Sequence, residues 1–355
     1  MERKIGSNNK TMRGGVMQPL ISIIIPVFNG EEFVEKCVDS VLTQTLKELQ
    51  IIIIDDGSTD HTLEIVNKLA AKDKRITVLH QDNVGVSKAR NIGLCAVASE
   101  WILFVDADDT IAPDYCDSML KAATFLEADV VIAHPYIEGE PQNDILQEKK
   151  KLIQACLSYD EMSYPFNIDA PWGKIFRRQI IDDHHICFPE KLIRSEDAFF
   201  CLQFYEVASK IGILNKFGYC HSEREGSLCR SFMKNAPEIL ENILYENYQW
   251  VMKKHSDEKK YVSAMWYRVL PGIVECEKSF FLHSEFSGDL VREYQHFLKQ
   301  SLVNQAIHSL KFRDVKSKQY WLRLLFYKLH LGGVFILIKE KNNESKVANA
   351  KTKNY

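Results

Sequence analysis

Three runs of almost uninterrupted apolar residues constrain this chain more than any other feature. They are Leu20–Val27 (LISIIIPV), Leu49–Ile54 (LQIIII) and Trp101–Val105 (WILFV), all short and rich in β-branched or aromatic side chains. Strands that are apolar on both faces belong inside a parallel sheet covered by helices on two sides. The intervals between the runs read as those helices. One spans Glu31 to about Thr45, with Phe33, Val34, Cys37, Val38, Val41 and Leu42 on one side. A second starts near His61, carries Leu63, Ile65, Val66 and Leu69, and has Ser58 or Thr59 as its cap. With a short strand over Ile76–His80, the order is β-α-β-α-β-α-β, a doubly wound α/β sheet.

Each run stops in polar residues, at Pro26–Asn29, Asp55–Ser58 and Asp106–Asp109. Ligands of such sheets bind beyond the carboxyl ends of the strands. Core packing explains the apolar runs but not why all three finish in polar residues on one edge. The third turn says most, because Asp106, Asp108 and Asp109 arrive where a buried strand ends. In extended chain, residues i and i+2 share a side. Asp106 and Asp108 would then offer two hard oxygens to one divalent cation while Ala107 faces away. The plainer reading is an acidic turn, with Asp109-Thr110 starting a loop and Pro113 opening a helix.

At 355 residues the chain has room for one large domain and a smaller appended one. A net charge of -3 gives no general pull toward nucleic acid, so no such partner is expected. The nine cysteines are scattered, without a C-x-x-C pair or metal-ligand spacing, which suits the reduced thiols of a cytoplasmic protein. No apolar run reaches the ~18 to 20 residues that a membrane-spanning helix needs. Residues 1–18 are polar and read as a disordered leader, with Met12 or Met17 as candidate starts.

Residues 20 to about 140 resemble the family 2 glycosyltransferases, inverting enzymes with a GT-A fold. The likeness rests on Ser22–Asn29 (SIIIPVFN), Asp55–Asp60 (DDGSTD), Asn83-x-Gly85 followed by Ala89-Arg90-Asn91-x-Gly93, and Asp106-Ala107-Asp108-Asp109, in that order. The resemblance implies a nucleotide-sugar donor, with UDP the expected carrier. It puts Pro26, Phe28 and Asn29 near the uracil and ribose, and one of Asp55 and Asp56 in contact with the base or ribose. Asn83, Gly85 and Arg90 are expected over the nucleotide, where the Arg90 fork can meet carboxylate or phosphate oxygens. Asp106 and Asp108 look like the family's D-x-D, flanking Ala107. By that likeness they hold Mn2+ or Mg2+ on the diphosphate, with Asp108 the more direct ligand.

Further along, Trp172-Gly173-Lys174-Ile175-Phe176 is similar to the family's W-x-K-L-F segment, with Ile175 in place of Leu. Glu196-Asp197-Ala198-Phe199-Phe200 is similar to its E-D-A-x-F. The matching Asp197 is implied as the general base that takes the acceptor's proton, in the first turn of a helix that Ser195 could cap. The bland alternative makes Glu196 and Asp197 ordinary first-turn acids. Trp172 reads as an acceptor-sugar platform or as core; Lys174 reads as a phosphate contact or as a solvated side chain. Tyr219–Arg230 matches a family flap loosely, with Arg224, Ser227 and Arg230 as candidates and His221 as a candidate extra metal ligand. His184 and His185 read as surface.

The last third reads as helices over Ile239–Met252, Tyr261–Phe281, Leu290–Leu302 and Tyr320–Ile338. Between Lys311 and Lys341, eight Lys/Arg stand against two Asp/Glu, interleaved with Trp321, Leu322, Leu324, Leu325, Phe326, Tyr327, Leu329 and Phe335–Ile338. That composition suits either a helix lying peripherally in a bilayer interface or one packed on the catalytic domain with its basic residues solvated. The expected division is a leader (1–18), a catalytic domain (19–235, with a nucleotide-sugar half to 135 and an acceptor half from 136), a helical region (236–341) and a polar tail (342–355). The expected reaction is metal-dependent, inverting transfer of a sugar to a hydroxyl of a growing glycan or lipid-linked acceptor; oligomerisation stays open. A sugar-nucleotide-binding accessory protein without turnover is the alternative. A nucleotidyltransferase would need a Gly-rich phosphate loop after the first strand, and Pro26–Gly30 is not one.

Overall fold

The computed structural model describes residues 18–133, 143–145, 149–159, 167–216, 218–222 and 232–352. In chain order the first elements are β1 (Ile21–Val27), α1 (Val34–Leu42), β2 (Leu49–Asp56), α2 (Thr62–Lys72), β3 (Ile76–Gln81), α3 (Val86–Cys95) and β4 (Trp101–Phe104). Next come β5 (Thr110–Ile111), α4 (Tyr115–Leu126), β6 (Val130–Ala133), β7 (Asn143–Ile145), α5 (Lys149–Ser158), β8 (Lys174–Arg177) and α6 (Arg178–His184). Then follow α7 (Glu196–Val207), β9 (Ile211–Leu214), β10 (Tyr219–Cys220), α8 (Ala236–Lys254), α9 (Lys259–Tyr267) and α10 (Val269–Cys276). A π-helical turn, Glu277–Phe281, leads to α11 (Leu290–Leu298), α12 (Ser301–Ser309), α13 (Lys318–Lys328) and α14 (Gly332–Thr352).

The chain divides into two compact units. The first holds the described residues up to 144 with 172–183 and 212–220; the second holds those of 145–171, 184–211 and 221–355. The boundary expected at 235 is therefore not where the packing divides. Helix α7 buries Ala198, Phe200, Cys201, Leu202, Phe204 and Tyr205, which point around the whole helix. A helix apolar all round needs cover on every side, and within the second unit α7 packs on α5, which also packs on α9.

In the first unit the sheet order is β3-β2-β1-β4-β8-β6-β9-β7. Strands β1 to β4 are mutually parallel where they pair, and β8 runs antiparallel to both β4 and β6. The sheet is thus doubly wound and mixed. Its centre is dry: Ile51, Ile52, Ile53 and Ile54 are fully buried, as are Ile23, Ile24 and Ile25 beside them. Burying each such side chain stabilises the fold by about 1.5 to 3 kcal/mol. Helix α3 lies close on this layer because Gly93 has no side chain: a Cβ there would sit 2.6 Å from Ile24 Cγ2.

Several expected boundaries move, for local reasons. Helix α2 is not capped by Ser58 or Thr59. The Asp60 carboxylate accepts from Thr62 N at 3.0 Å instead, while the Ser58 hydroxyl accepts from Asn29 N at 2.9 Å. The stretch Tyr261–Phe281 breaks at Arg268, because Pro271 has no N–H to give the Tyr267 carbonyl. Leu290–Leu302 is likewise two helices, and so is Tyr320–Ile338, which is interrupted at His330 with φ +58°. The backbone of α14 stays helical to Thr352, so the polar end is no separate segment up to that point. The proposed leader lies outside the described residues except for Gln18. No described helix is long and apolar enough to cross a membrane.

In the second unit a buried ion pair ties the helices together. Arg323 Nη1 on α13 donates to both Glu277 carboxylate oxygens at 2.7 Å, and Tyr294 of α11 donates to the same carboxylate at 2.6 Å. Removing one charge of such a pair costs about 3 to 5 kcal/mol.

Candidate active site

The turns at the carboxyl ends of β1 and β2 are stitched to one another. Asn29, in the left-handed region at φ +48°, accepts from Thr59 N through Oδ1 at 2.8 Å. Gly30 N donates to the Thr62 hydroxyl at 2.7 Å, Glu31 N to Asp60 at 3.1 Å, and His61 N returns a bond to Glu31 at 2.9 Å. Pro26 lies in β1 opposite Ile54, and Phe28 beyond it exposes 47% of its surface, an open aromatic ring at the edge where a ligand is expected.

Asp55 and Asp56 close β2 and point to opposite faces, as neighbours in a strand must. Each is paired across to β3: Asp55 Oδ2 lies 2.7 Å from His80 Nδ1, and Asp56 Oδ1 accepts from Gln81 Nε2 at 2.6 Å. Asp55 is fully buried, and its Oδ1 meets no polar partner among the described residues. Asp56 also takes the backbone N–H groups of Val84 (3.0 Å) and Gly85 (2.9 Å). It thereby holds the Asn83–Gly85 turn that precedes α3. Gly57, at φ +73°, lets this turn approach, since a Cβ there would lie 2.5 Å from Asn83 N. Gly85, at φ +97°, starts α3 and exposes Asn83 and Val84 on its outer side.

At the end of β4 the chain is not extended through the acids. The strand stops at Phe104, and Asp109 N donates to Asp106 O at 3.0 Å, closing a turn. A tight turn rather than strand alternation therefore brings Asp106 and Asp108 forward, with Ala107 buried beneath them. The Tyr219 hydroxyl locks the turn, accepting from Asp106 N at 3.1 Å and donating to Asp109 Oδ2 at 2.8 Å. Burial first, then the negative charge of Asp106 and Asp109, pushes the Tyr219 phenol well above its ordinary value, so it stays a donor. Arg90, buried on α3, reaches Asp106 Oδ1 with Nη2 at 3.1 Å. The Cys37 thiol donates to Asp106 O at 3.5 Å; burial, then Asp109, Asp106 and Asp108, raises it far out of the reactive range. Asp109 is fully buried, whereas Asp106 and Asp108 are part-exposed.

Two of these parts were not legible in the motifs: Tyr219 as the lock, and Asp109 as an acid spent on structure. The signal available was a third carboxylate that a two-ligand site does not need. Trp172 stacks on Tyr219, with ring centroids 5.0 Å apart at 19°, so one face backs the acidic turn while the residue stays half-exposed. Lys174 is fully buried in β8, which rules out the solvated reading and any open phosphate contact in this arrangement. His221, just after β10, is exposed. Among the described residues, no three His, Cys, Asp or Glu side chains are grouped to hold a metal by themselves. Arg224, Ser227 and Arg230 lie outside the described residues.

In the second unit, Glu196 and Asp197 form the first turn of α7, both part-exposed, where the helix dipole favours their ionised forms. Ser195 precedes them at φ +63° and makes no side-chain cap. Its hydroxyl instead accepts from Nη2 of the buried Arg268 at 2.9 Å, because a left-handed backbone turns the side chain away from the helix's own N–H groups.

The glycosyl transferase family 2 profile matches residues 22–194. EpsH of Bacillus subtilis, a putative glycosyltransferase by name, is 31% identical over 255 residues, 65% of this chain and 72% of EpsH. The chain belongs to glycosyl transferase family 2. Glycosyltransferase GlyA of Streptococcus pneumoniae is 28% identical over 66% of the chain, and that match spans 36% of GlyA. Among solved structures, residues 1–349 of Staphylococcus aureus TarS in complex with UDP-GlcNAc superpose with a TM-score of 0.65 at 22% identity, covering 92% of each chain. The family 2 enzyme class and the GT-A fold implied by the motifs are thus both met.

Proposed function

We propose that this glycosyltransferase moves a sugar from a UDP-sugar to a hydroxyl of a growing glycan or lipid-linked acceptor, inverting the anomeric centre in a metal-dependent reaction. The observation that carries the reading is the β4 turn. Tyr219 and Arg90 hold it, Asp109 is consumed inside it, and Asp106 and Asp108 are left part-exposed at a sheet edge where ligands bind. Two hard carboxylates would suit Mn2+ or Mg2+, and since no three His, Cys, Asp or Glu side chains are grouped to hold a metal among the described residues, donor and solvent oxygens would complete the shell. When bound, the ion supplies positive charge against the departing UDP. The open Phe28 ring and the stitched turn at Asn29 support a base and ribose site, and the exposed Asn83-Val84 turn supports a diphosphate site, while the buried Arg90 holds Asp106 in place. The TarS complex with UDP-GlcNAc supports the choice of UDP, as a property of that protein.

Asp197 fits the general base that takes the proton of the attacking hydroxyl, which an inverting displacement needs from one carboxylate and no nucleophile. The test is release of UDP from a panel of UDP-sugars with Mn2+, with and without chelator, and the product anomer read by NMR. Asp197→Asn should lower turnover by about two to four orders of magnitude and leave donor binding intact. Wild-type turnover in the variant would remove Asp197 from this role. A panel in which no UDP-sugar binds or turns over would remove UDP.

A further inference from the structure

Large apolar side chains exposed by two-fifths or more are scattered singly over most of the described residues, but they crowd into one stretch of the second unit. On α13 these are Trp321 (41%) and Leu322 (47%); in the turn after it, Leu329 (57%) and Leu331 (43%); on α14, Val334 (50%), Leu337 (40%) and Ile338 (48%). Positions 334, 337 and 338 follow helical spacing, so they form one stripe, and 341 on the same stripe is an exposed lysine. The core already has its share: Phe335 and Ile336 are buried on α14, and Leu324 and Tyr327 on α13. The outer stripe is therefore surplus to folding, and a contiguous apolar surface of that kind marks a place of contact.

Its charge says with what. The Lys/Arg excess between Lys311 and Lys341 sits in a chain whose net charge is -3. Arg323 is spent inside on Glu277. Of the others, Lys311, Arg313 and Lys316 are exposed before α13, Lys318 at its start and Lys341 on the stripe, and Lys328 and Lys339 are part-exposed. A second copy of the chain docking patch to patch would set these same cations against each other. A surface of anionic headgroups over an apolar layer would satisfy both the lysines and the leucines. Since α14 is not apolar enough to cross a bilayer, a membrane contact would run along its length.

We propose that the α13–α14 pair is a membrane-binding surface, with Leu331, Val334, Leu337 and Ile338 in the acyl boundary and the flanking lysines on anionic headgroups. The inference goes beyond the transfer reaction, because it is measured with neither donor nor acceptor. The experiment is flotation of the full chain with vesicles of phosphatidylcholine alone and with vesicles that also contain phosphatidylglycerol. Binding is expected only to the second kind and should fall steeply with salt. Leu331→Ser/Leu337→Ser/Ile338→Ser should weaken it by about tenfold or more, and Lys339→Gln/Lys341→Gln by about fivefold per lysine. The three apolar side chains and Lys341 are exposed and Lys339 is part-exposed, so circular dichroism melts and UDP release in solution should stay close to wild type. Undiminished flotation of the triple serine variant, equal binding to neutral vesicles, or insensitivity to salt would each overturn the proposal. So would self-association that the serine substitutions abolish without any vesicle binding by the wild type. Loss of UDP release with flotation retained would strike the proposed reaction and leave this surface standing.

Discussion

The acids that close β2 and those that follow β4 have almost the same sequence look and opposite physical situations. Asp55 and Asp56 are buried and committed to protein partners: His80 for one, and Gln81 with two backbone N–H groups for the other. After β4 the fully buried acid is Asp109, which accepts from Tyr219, while Asp106, paired with Arg90, and Asp108 stay part-exposed. Carboxylates at a sheet edge are therefore of two kinds, those that shape a turn and those that the turn presents. Burial separates them; residue type does not.

Substitutions should separate them too. The largest effect is expected at Asp108→Asn, with turnover down by about two to three orders of magnitude while the melting temperature holds, because a part-exposed acid leaves no buried cavity. Asp56→Ala should do the reverse and lower stability by about 3 kcal/mol in urea unfolding, since it strands two backbone N–H groups and Gln81. If Asp108→Asn unfolds the protein as readily as Asp56→Ala does, the distinction fails. Tyr219→Phe should cost about 2 kcal/mol by removing the bond to a buried carboxylate, and it should lower turnover as well, because it belongs to the turn that presents the others. Gly57→Ala should cost about 1 to 2 kcal/mol, since φ +73° and the Asn83 backbone both oppose a side chain.

The β-α alternation was readable because its cause is local: four consecutive β-branched isoleucines between polar flanks favour a strand covered on both faces. The D-A-D-D turn and the Asp55-Asp56 turn were readable as turns at the sheet's carboxyl edge for the same reason, being polar where apolar runs end. The lock was not readable. Tyr219 meets Asp109 across 110 residues, and no periodicity reports a bond of that separation. Ser195 misled because a serine before two acids is a good cap on paper, and only the left-handed backbone diverts its hydroxyl to Arg268. Lys174 misled because lysine is rarely interior, yet here it sits fully buried in a strand between β4 and β6. The helical third gave its composition readily and its breaks poorly. Pro271 marked one of them, while the His330 break rests on a φ that the residue type does not announce.

The reciprocal bonds between the turns after β1 and β2 have an evolutionary corollary. Asn29 is read by Ser58 and Thr59, Glu31 by His61, and Asp60 by both Glu31 and Thr62, so neither turn has a shape of its own. A drifting lineage would have to change them as a couple: an insertion in one, without a matching change in the other, would cut several bonds at once. Paired changes such as Asn29→Ala with Thr59→Ala, which share a side-chain bond of 3.3 Å, should therefore cost less together than the two costs added, and descent with variation at this edge should proceed by exchange of both turns.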